Sequence, residues 1–215
     1  MQLTEKYRPR DWAEVAGQPD AVKVCRSLSE RGAIGGRAVL FLGKSGMGKT
    51  TMANILAREF ADSFGITELD GSQLTLSRLD EISLSTRCRC IGEKGGRVII
   101  VNECHAIRGP VITRLLTMLD RIPDYVLWVF TTTLNANDDL FAGTYEADPF
   151  RSRCLRIQLA QRDVAKPMAE RALMIAQAEG LDGGADSKRI VKMLQEHRDN
   201  LRAVLQEIES GALLA

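Results

Sequence analysis

A chain of 215 residues, 45% hydrophobic and 27% charged, has the composition of an ordinary folded domain, which excludes a disordered tail or a fibrous repeat. Its 29 basic residues stand against 28 acidic ones, so the formal charge of +1 supplies no bulk attraction to nucleic acid, and any such contact needs a local patch. No apolar run approaches the roughly 18 residues of a membrane span, and the opening MQLTEKYRPR lacks a secretory core, so the expected setting is cytoplasmic, with no membrane partner.

In chain order, the first clear element is the short apolar run Ala38 to Leu42. Glycines follow, and then Met52, Ile55, Leu56 and Phe60 recur at helical spacing, which reads as strand, loop, helix. Further apolar runs occupy Ile66 to Leu69, Val98 to Val101, Val126 to Phe130 and Leu155 to Leu159, separated by segments long enough to hold helices. Such alternation predicts an α/β fold, a parallel five-stranded sheet flanked by helices. Ile112, Leu115, Leu116 and Leu119 mark a helix opened by Gly109-Pro110. Beyond Leu159 the strands stop. Helices are predicted over Pro167 to Glu179, Ser187 to His197 and Asn200 to Glu209, with apolar stripes such as Ile190, Val191 and Leu194 that can pack as a small bundle. By this pattern the chain is expected to divide into a sheet domain, residues 1–159, and a helical domain, residues 160–215. Gly35-Gly36, Gly95-Gly96 and Gly183-Gly184 read as turns. Five cysteines without a CxxC pair, together with two histidines, argue for reduced thiols and against a zinc site.

Gly43-Lys44-Ser45-Gly46-Met47-Gly48-Lys49-Thr50 matches G-x-x-x-x-G-K-[ST] directly after a strand and at the start of a helix, with Thr51 next in line. Glycines let the backbone curl so that successive N–H groups and a helix N-terminus face negative charge. Lys49 is expected to reach the β- and γ-phosphates of ATP, or the β-phosphate of ADP, and Thr50 to offer its hydroxyl to Mg2+. The run Arg97 to Val101 ends in Asn102-Glu103, where a P-loop enzyme usually carries Asp-Glu. Glu103 keeps the role of polarising the attacking water. Asn102 can reach Mg2+ through bound water but brings no charge, which leaves hydrolysis open.

At this point the residues resemble the clamp-loader clade of AAA+ proteins, which includes replication factor C small subunits and the bacterial tau/gamma subunit. Glu5-Lys6-Tyr7-Arg8-Pro9, with Trp12, Val15, Gly17 and Gln18, looks like that clade's N-terminal signature, and the resemblance implies that Tyr7, Arg8, Pro9 and Val15 lie against the adenine. Ile66 to Ser72 is similar to its second strand and turn, and Trp128 to Thr133 to its sensor 1 strand, with Thr133 as the sensor. Ser152-Arg153-Cys154 matches its SRC box, which implies that Arg153 enters a neighbouring subunit's site. Asp199 to Ala203 resembles its sensor 2 motif, which implies that Arg202 meets the γ-phosphate. The resemblance further implies neighbouring AAA+ subunits as partners, and primed or double-stranded DNA and a sliding clamp as substrates. It omits the helical collar, since the chain ends after the lid-like region. Arg87, Arg89, Lys94 and Arg97, with Arg108 and Arg114 flanking the helix at Pro110, form the candidate DNA surface. Two other readings stay open: a non-hydrolysing scaffold that donates Arg153 to an active partner, and a remodeller of protein cargo.

Overall fold

The computed structural model describes residues 1–133 and 147–214. Its centre is a parallel sheet of β1 (Arg37–Leu42), β2 (Ile66–Asp70), β3 (Arg97–Asn102), β4 (Val126–Thr132) and β5 (Cys154–Gln158), in the order β2-β3-β4-β1-β5. Around it run α1 (Leu3–Lys6), α2 (Pro19–Glu30), α3 (Lys49–Phe60), α4 (Leu76–Ser85), α5 (Gly109–Leu119), α6 (Ala147–Arg153), α7 (Ala165–Ala178), α8 (Ser187–Glu196) and α9 (Leu201–Glu209). The five-stranded parallel sheet flanked by helices is therefore as the sequence predicts.

Position in the sheet explains how readable each strand is. β1 and β4 lie inside it and are covered on both faces, so nearly every residue is apolar and buried. Val39 and Phe41 point to one face, where they join a cluster with Met52, Ile55 and Leu56 of α3. Ala38, Leu40 and Leu42 point to the other, with Ile112 and Leu115 of α5. On that second face Phe130 meets Phe150 edge-on, with ring centroids 4.9 Å apart. The edge strands β2 and β5 bury only Leu69 in the one and Cys154 and Ile157 in the other.

The C-terminal helices share the first cluster. Met168, Ala172 and Ile175 of α7, Ile190 and Leu194 of α8, and Val204 and Ile208 of α9 are buried together with the sheet's Val39 and Phe41. Side chains set where two of these helices begin. Asp186 accepts from the Arg189 amide at 3.0 Å to open α8, and Asn200 from the Ala203 amide at 3.2 Å to open α9. Element ends differ from the reading by one or two residues, β5 for example beginning at Cys154 rather than Leu155 and α7 at Ala165 rather than Pro167, and that reading does not single out α1, α4, α6 or α2. The last has Pro19 in its first turn and buries only Ala21, Cys25 and Leu28, a stripe too thin to stand out in the sequence. Among the described residues no helix is long and apolar enough to cross a membrane.

Candidate nucleotide site

β1 delivers the chain to the glycine-rich loop, and α3 leaves it at Lys49. Gly46 (φ 76°) and Gly48 (φ 94°) take left-handed conformations that a side chain would strain, and these curl the loop. α3 has no side-chain cap, so its first amides stay available to an anion. Lys49 is 5% exposed, and its Nζ donates to the carbonyls of Gly43 (2.8 Å) and Lys44 (2.9 Å). Burial lowers its pKa; the Glu103 carboxylate opposes that shift and the Arg202 charge adds to it. A phosphate entering here would relieve this arrangement, because it would supply the negative charge the two carbonyls lack.

The end of β3 faces the same loop. Asn102 Oδ1 accepts from Thr50 Oγ1 (3.1 Å) and Thr131 Oγ1 (3.0 Å), while its Nδ2 donates to Glu68 Oε1 (2.6 Å). Glu103 follows in a left-handed conformation, φ 46° and ψ 52°, a rare position for a residue with a side chain and typical of functional turns. Its Oε2 accepts from Thr133 Oγ1 (3.1 Å) and lies 3.3 Å from His105 Nδ1, which is itself 3.1 Å from Thr132 Oγ1. Three consecutive threonines leaving β4 thus hold the amide, the imidazole and the carboxylate in turn. Among the described residues no group of three or more His, Cys, Asp or Glu gathers to hold a metal. An all-oxygen pair, the Thr50 hydroxyl and the Asn102 carbonyl, suits Mg2+ that takes its other ligands from phosphate and water.

A cleft of about 330 Å³ joins these parts. It is lined by Tyr7, Arg8, Pro9 and Val15 from the N-terminal segment, by Ser45, Gly46, Met47, Gly48, Lys49, Thr50 and Thr51 from the loop and α3, by Asn102 and Glu103, and by Arg202 of α9. Gly43 and Lys44 lie behind it as acceptors for Lys49, and Thr133 touches it only through Glu103. Val15, Ala16, Met168, Ile175 and Leu205 give its far wall an apolar surface suited to a purine ring. Arg171, absent from the sequence reading, also lines the cleft and donates to the Tyr7 carbonyl at 3.4 Å. The available signal was its place between Met168 and Ile175 at spacings of three and four, a cation on an apolar helix face. Below it, Glu179 accepts from Lys6 Nζ at 2.6 Å and from the Tyr7 hydroxyl, which ties the N-terminal segment to the end of α7. These two hydrogen bonds hold the Glu179 carboxyl below its ordinary pKa.

Arg153 stands apart from the cleft. Its Nε and Nη2 grip Asp120, the C-cap of α5, at 2.6 and 3.2 Å, and its Nη1 donates to the Pro149 carbonyl at 2.9 Å. The expected DNA surface is partly spent inside the chain. Arg89 pairs with Asp124 (2.9 Å) over the Tyr125 ring, Arg97 donates to the Cys88 carbonyl (2.8 Å), Lys94 to the Arg58 carbonyl, and Arg114 pairs with Asp80 (3.3 Å). Arg87 and Arg89 lie in the loop after α4 rather than on a helix.

Residues 39–142 match the family described as ATPase family associated with various cellular activities (AAA). The replication factor C small subunit of Methanoregula boonei is 25% identical over 98% of this chain and 63% of its own length. The DNA polymerase III gamma/tau subunit of Mycobacterium tuberculosis is 30% identical over 62% of this chain, which spans only 27% of that protein. Among solved structures, the Thermotoga maritima RuvB Holliday junction branch migration motor superposes with a TM-score of 0.69 at 23% identity, covering 94% of this chain and 64% of that one. At that identity the superposition speaks for the fold alone.

Proposed function

We propose that this chain, which carries an AAA domain and is related to clamp-loader subunits, binds ATP with Mg2+ in the cleft between loop, sheet and C-terminal helices and uses it within an assembly of AAA+ subunits. One observation carries the reading: a single cleft gathers Tyr7, the phosphate loop, Asn102, Glu103 and Arg202, residues spread over almost the whole sequence. In it Lys49, the loop amides and Arg202 would neutralise the phosphates, Thr50 and Asn102 would face Mg2+, and Tyr7, Arg8, Pro9 and Val15 would flank the base. Mg2+ would supply charge neutralisation on the phosphates. Glu103, oriented by Thr133, would polarise a water. Residues 160–215 would act as a lid over residues 1–159.

Arg153 lies outside the cleft of its own chain, so we assign its guanidinium to a neighbour's site. On this proposal primed or double-stranded DNA, and with it a sliding clamp, are the substrates to test, with exposed Arg87 and Arg108 the residues to replace. Calorimetry with ATP and ADP in Mg2+ tests the core of the proposal, and absence of heat at millimolar nucleotide overturns it. Mixing Lys49→Ala chains with Arg153→Ala chains tests the shared site: turnover regained only in the mixture places the arginine in trans. A second reading, a nucleotide-dependent scaffold that does not hydrolyse, is favoured by the neutral Asn102. Sustained phosphate release by the unaltered chain removes it.

A further inference from the structure

We propose that Glu68 supplies, through Asn102, the negative charge missing from the end of β3, so that the metal side of the site is an Asn102–Glu68 pair spread over two adjacent strands. The inference rests on the nucleotide reading above and goes further in assigning a positioning residue to it. β2 and β3 are parallel neighbours, with Glu68 opposite Ile100 and Asp70 opposite Asn102. Glu68 reaches forward along that register, and its two carboxylate oxygens take donors from two elements, Asn102 Nδ2 at 2.6 Å and Asn54 Nδ2 of α3 at 3.2 Å.

The partners fix how the Asn102 amide faces. Its oxygen already accepts two hydroxyl protons, from Thr50 and Thr131, so its nitrogen must take the remaining side, and there it meets a carboxylate. A negative acceptor polarises the amide and makes the oxygen that faces Thr50 more electron-rich, which is what a hard cation's water shell responds to. An aspartate at position 102 would set two carboxylate oxygens 2.6 Å apart, a spacing at which both cannot stay ionised. Asn102 and Glu68 therefore form a matched set with a total charge of −1, the same as a lone aspartate beside a neutral neighbour. The charge sits one hydrogen bond further from the cation and is exposed, so its influence is on the order of threefold to tenfold in affinity.

The test measures how much Mg2+ tightens ATP binding, as the ratio of affinities in Mg2+ and in chelator, alongside Mn2+ affinity by electron paramagnetic resonance with ATP present. Glu68→Gln is expected to cut both by roughly threefold to tenfold while leaving ATP affinity in chelator within about twofold. Asn102→Asp alone is expected to gain little, whereas Asn102→Asp with Glu68→Gln restores the metal effect, since the hydrogen bond survives with its polarity reversed. The proposal is overturned if Glu68→Gln leaves both metal readouts unchanged, if the unaltered chain shows no metal effect, or if Asn102→Asp alone gains as much as the double variant. Failure of the unaltered chain to bind ATP in either condition brings down the nucleotide reading itself, a separate result.

Discussion

Replacing Gly46 with alanine tests whether the phosphate loop and the start of α9 form one mechanical unit. A Cβ on Gly46 would fall 1.8 Å from Asn200 Oδ1 and 2.4 Å from its Cγ, far inside contact distance. Asn200 cannot retreat freely, because that same oxygen caps α9 through the Ala203 amide at 3.2 Å. Gly46→Ala therefore carries two costs: about 1 kcal/mol for a left-handed alanine at φ 76°, and about 1 kcal/mol for the lost cap, with residual crowding added. We expect a loss of roughly 2–3 kcal/mol by urea unfolding. Asn200→Gly removes the obstructing atoms and, since glycine is an acceptable cap residue, costs only a few tenths of a kcal/mol relative to asparagine. In that background Gly46→Ala should cost only about 1 kcal/mol, a coupling of about 1–2 kcal/mol between residues 154 positions apart. Additive losses in the double variant would refute the contact, and a cost below about 0.5 kcal/mol for Gly46→Ala alone would refute the loop conformation as well.

Three more outcomes are expected. Thr133→Ala removes a hydrogen bond to Glu103 that lies outside the cleft, so phosphate release should fall roughly tenfold while ATP affinity shifts by less than about twofold; a parallel loss of affinity would place Thr133 in binding instead. The Arg153 guanidinium holds the Asp120 carboxyl below its usual pKa. A folded-state value below the unfolded one means the ion pair's contribution is complete above the ordinary carboxylate range and is lost as pH falls through the depressed value. Carboxyl-carbon NMR titration should show that depression, and Arg153→Ala should return Asp120 towards 3.8. Burial pushes the Cys25 and Cys154 thiols up to about 12, and Cys104 is raised as well, while Cys88 is exposed. Iodoacetamide near neutral pH should therefore label Cys88 in the folded chain and reach Cys25, Cys104 and Cys154 only on unfolding, as read by peptide mass.

What the sequence made legible follows from where each residue ends up. β1 and β4 announce themselves because two covered faces demand unbroken apolar runs, and the phosphate loop does so because its backbone tolerates few alternatives to glycine. Position along the chain also suffices for Lys49, Thr50 and Glu103, since each is anchored to the end of a readable strand or the start of a readable helix. Glu68, Asp120 and Arg171 were not picked out. Their roles depend on which strand lies beside which, on where α5 stops relative to α6, and on which face α7 turns to Tyr7. A parallel sheet separates neighbours in space by whole crossovers in sequence, so a hydrogen bond such as Asn102 to Glu68, 34 positions apart, leaves no local pattern. The basic stretch around Arg89 was readable as charge, but not as charge already matched by Asp124.

The tie from Lys6 and Tyr7 to Glu179 spans more than 170 positions, and it fastens the N-terminal segment to the end of α7, so that Tyr7 and the α7 residues Met168, Arg171 and Ile175 form one wall of the cleft. A growing polypeptide emerging from the ribosome has its loop and lysine long before it has that wall. If the proposed nucleotide bridges both sides, its tight capture would report that synthesis and folding have run through α9, whose Arg202 and Leu205 also line the cleft, and a half-made chain would be left with only a partial grip.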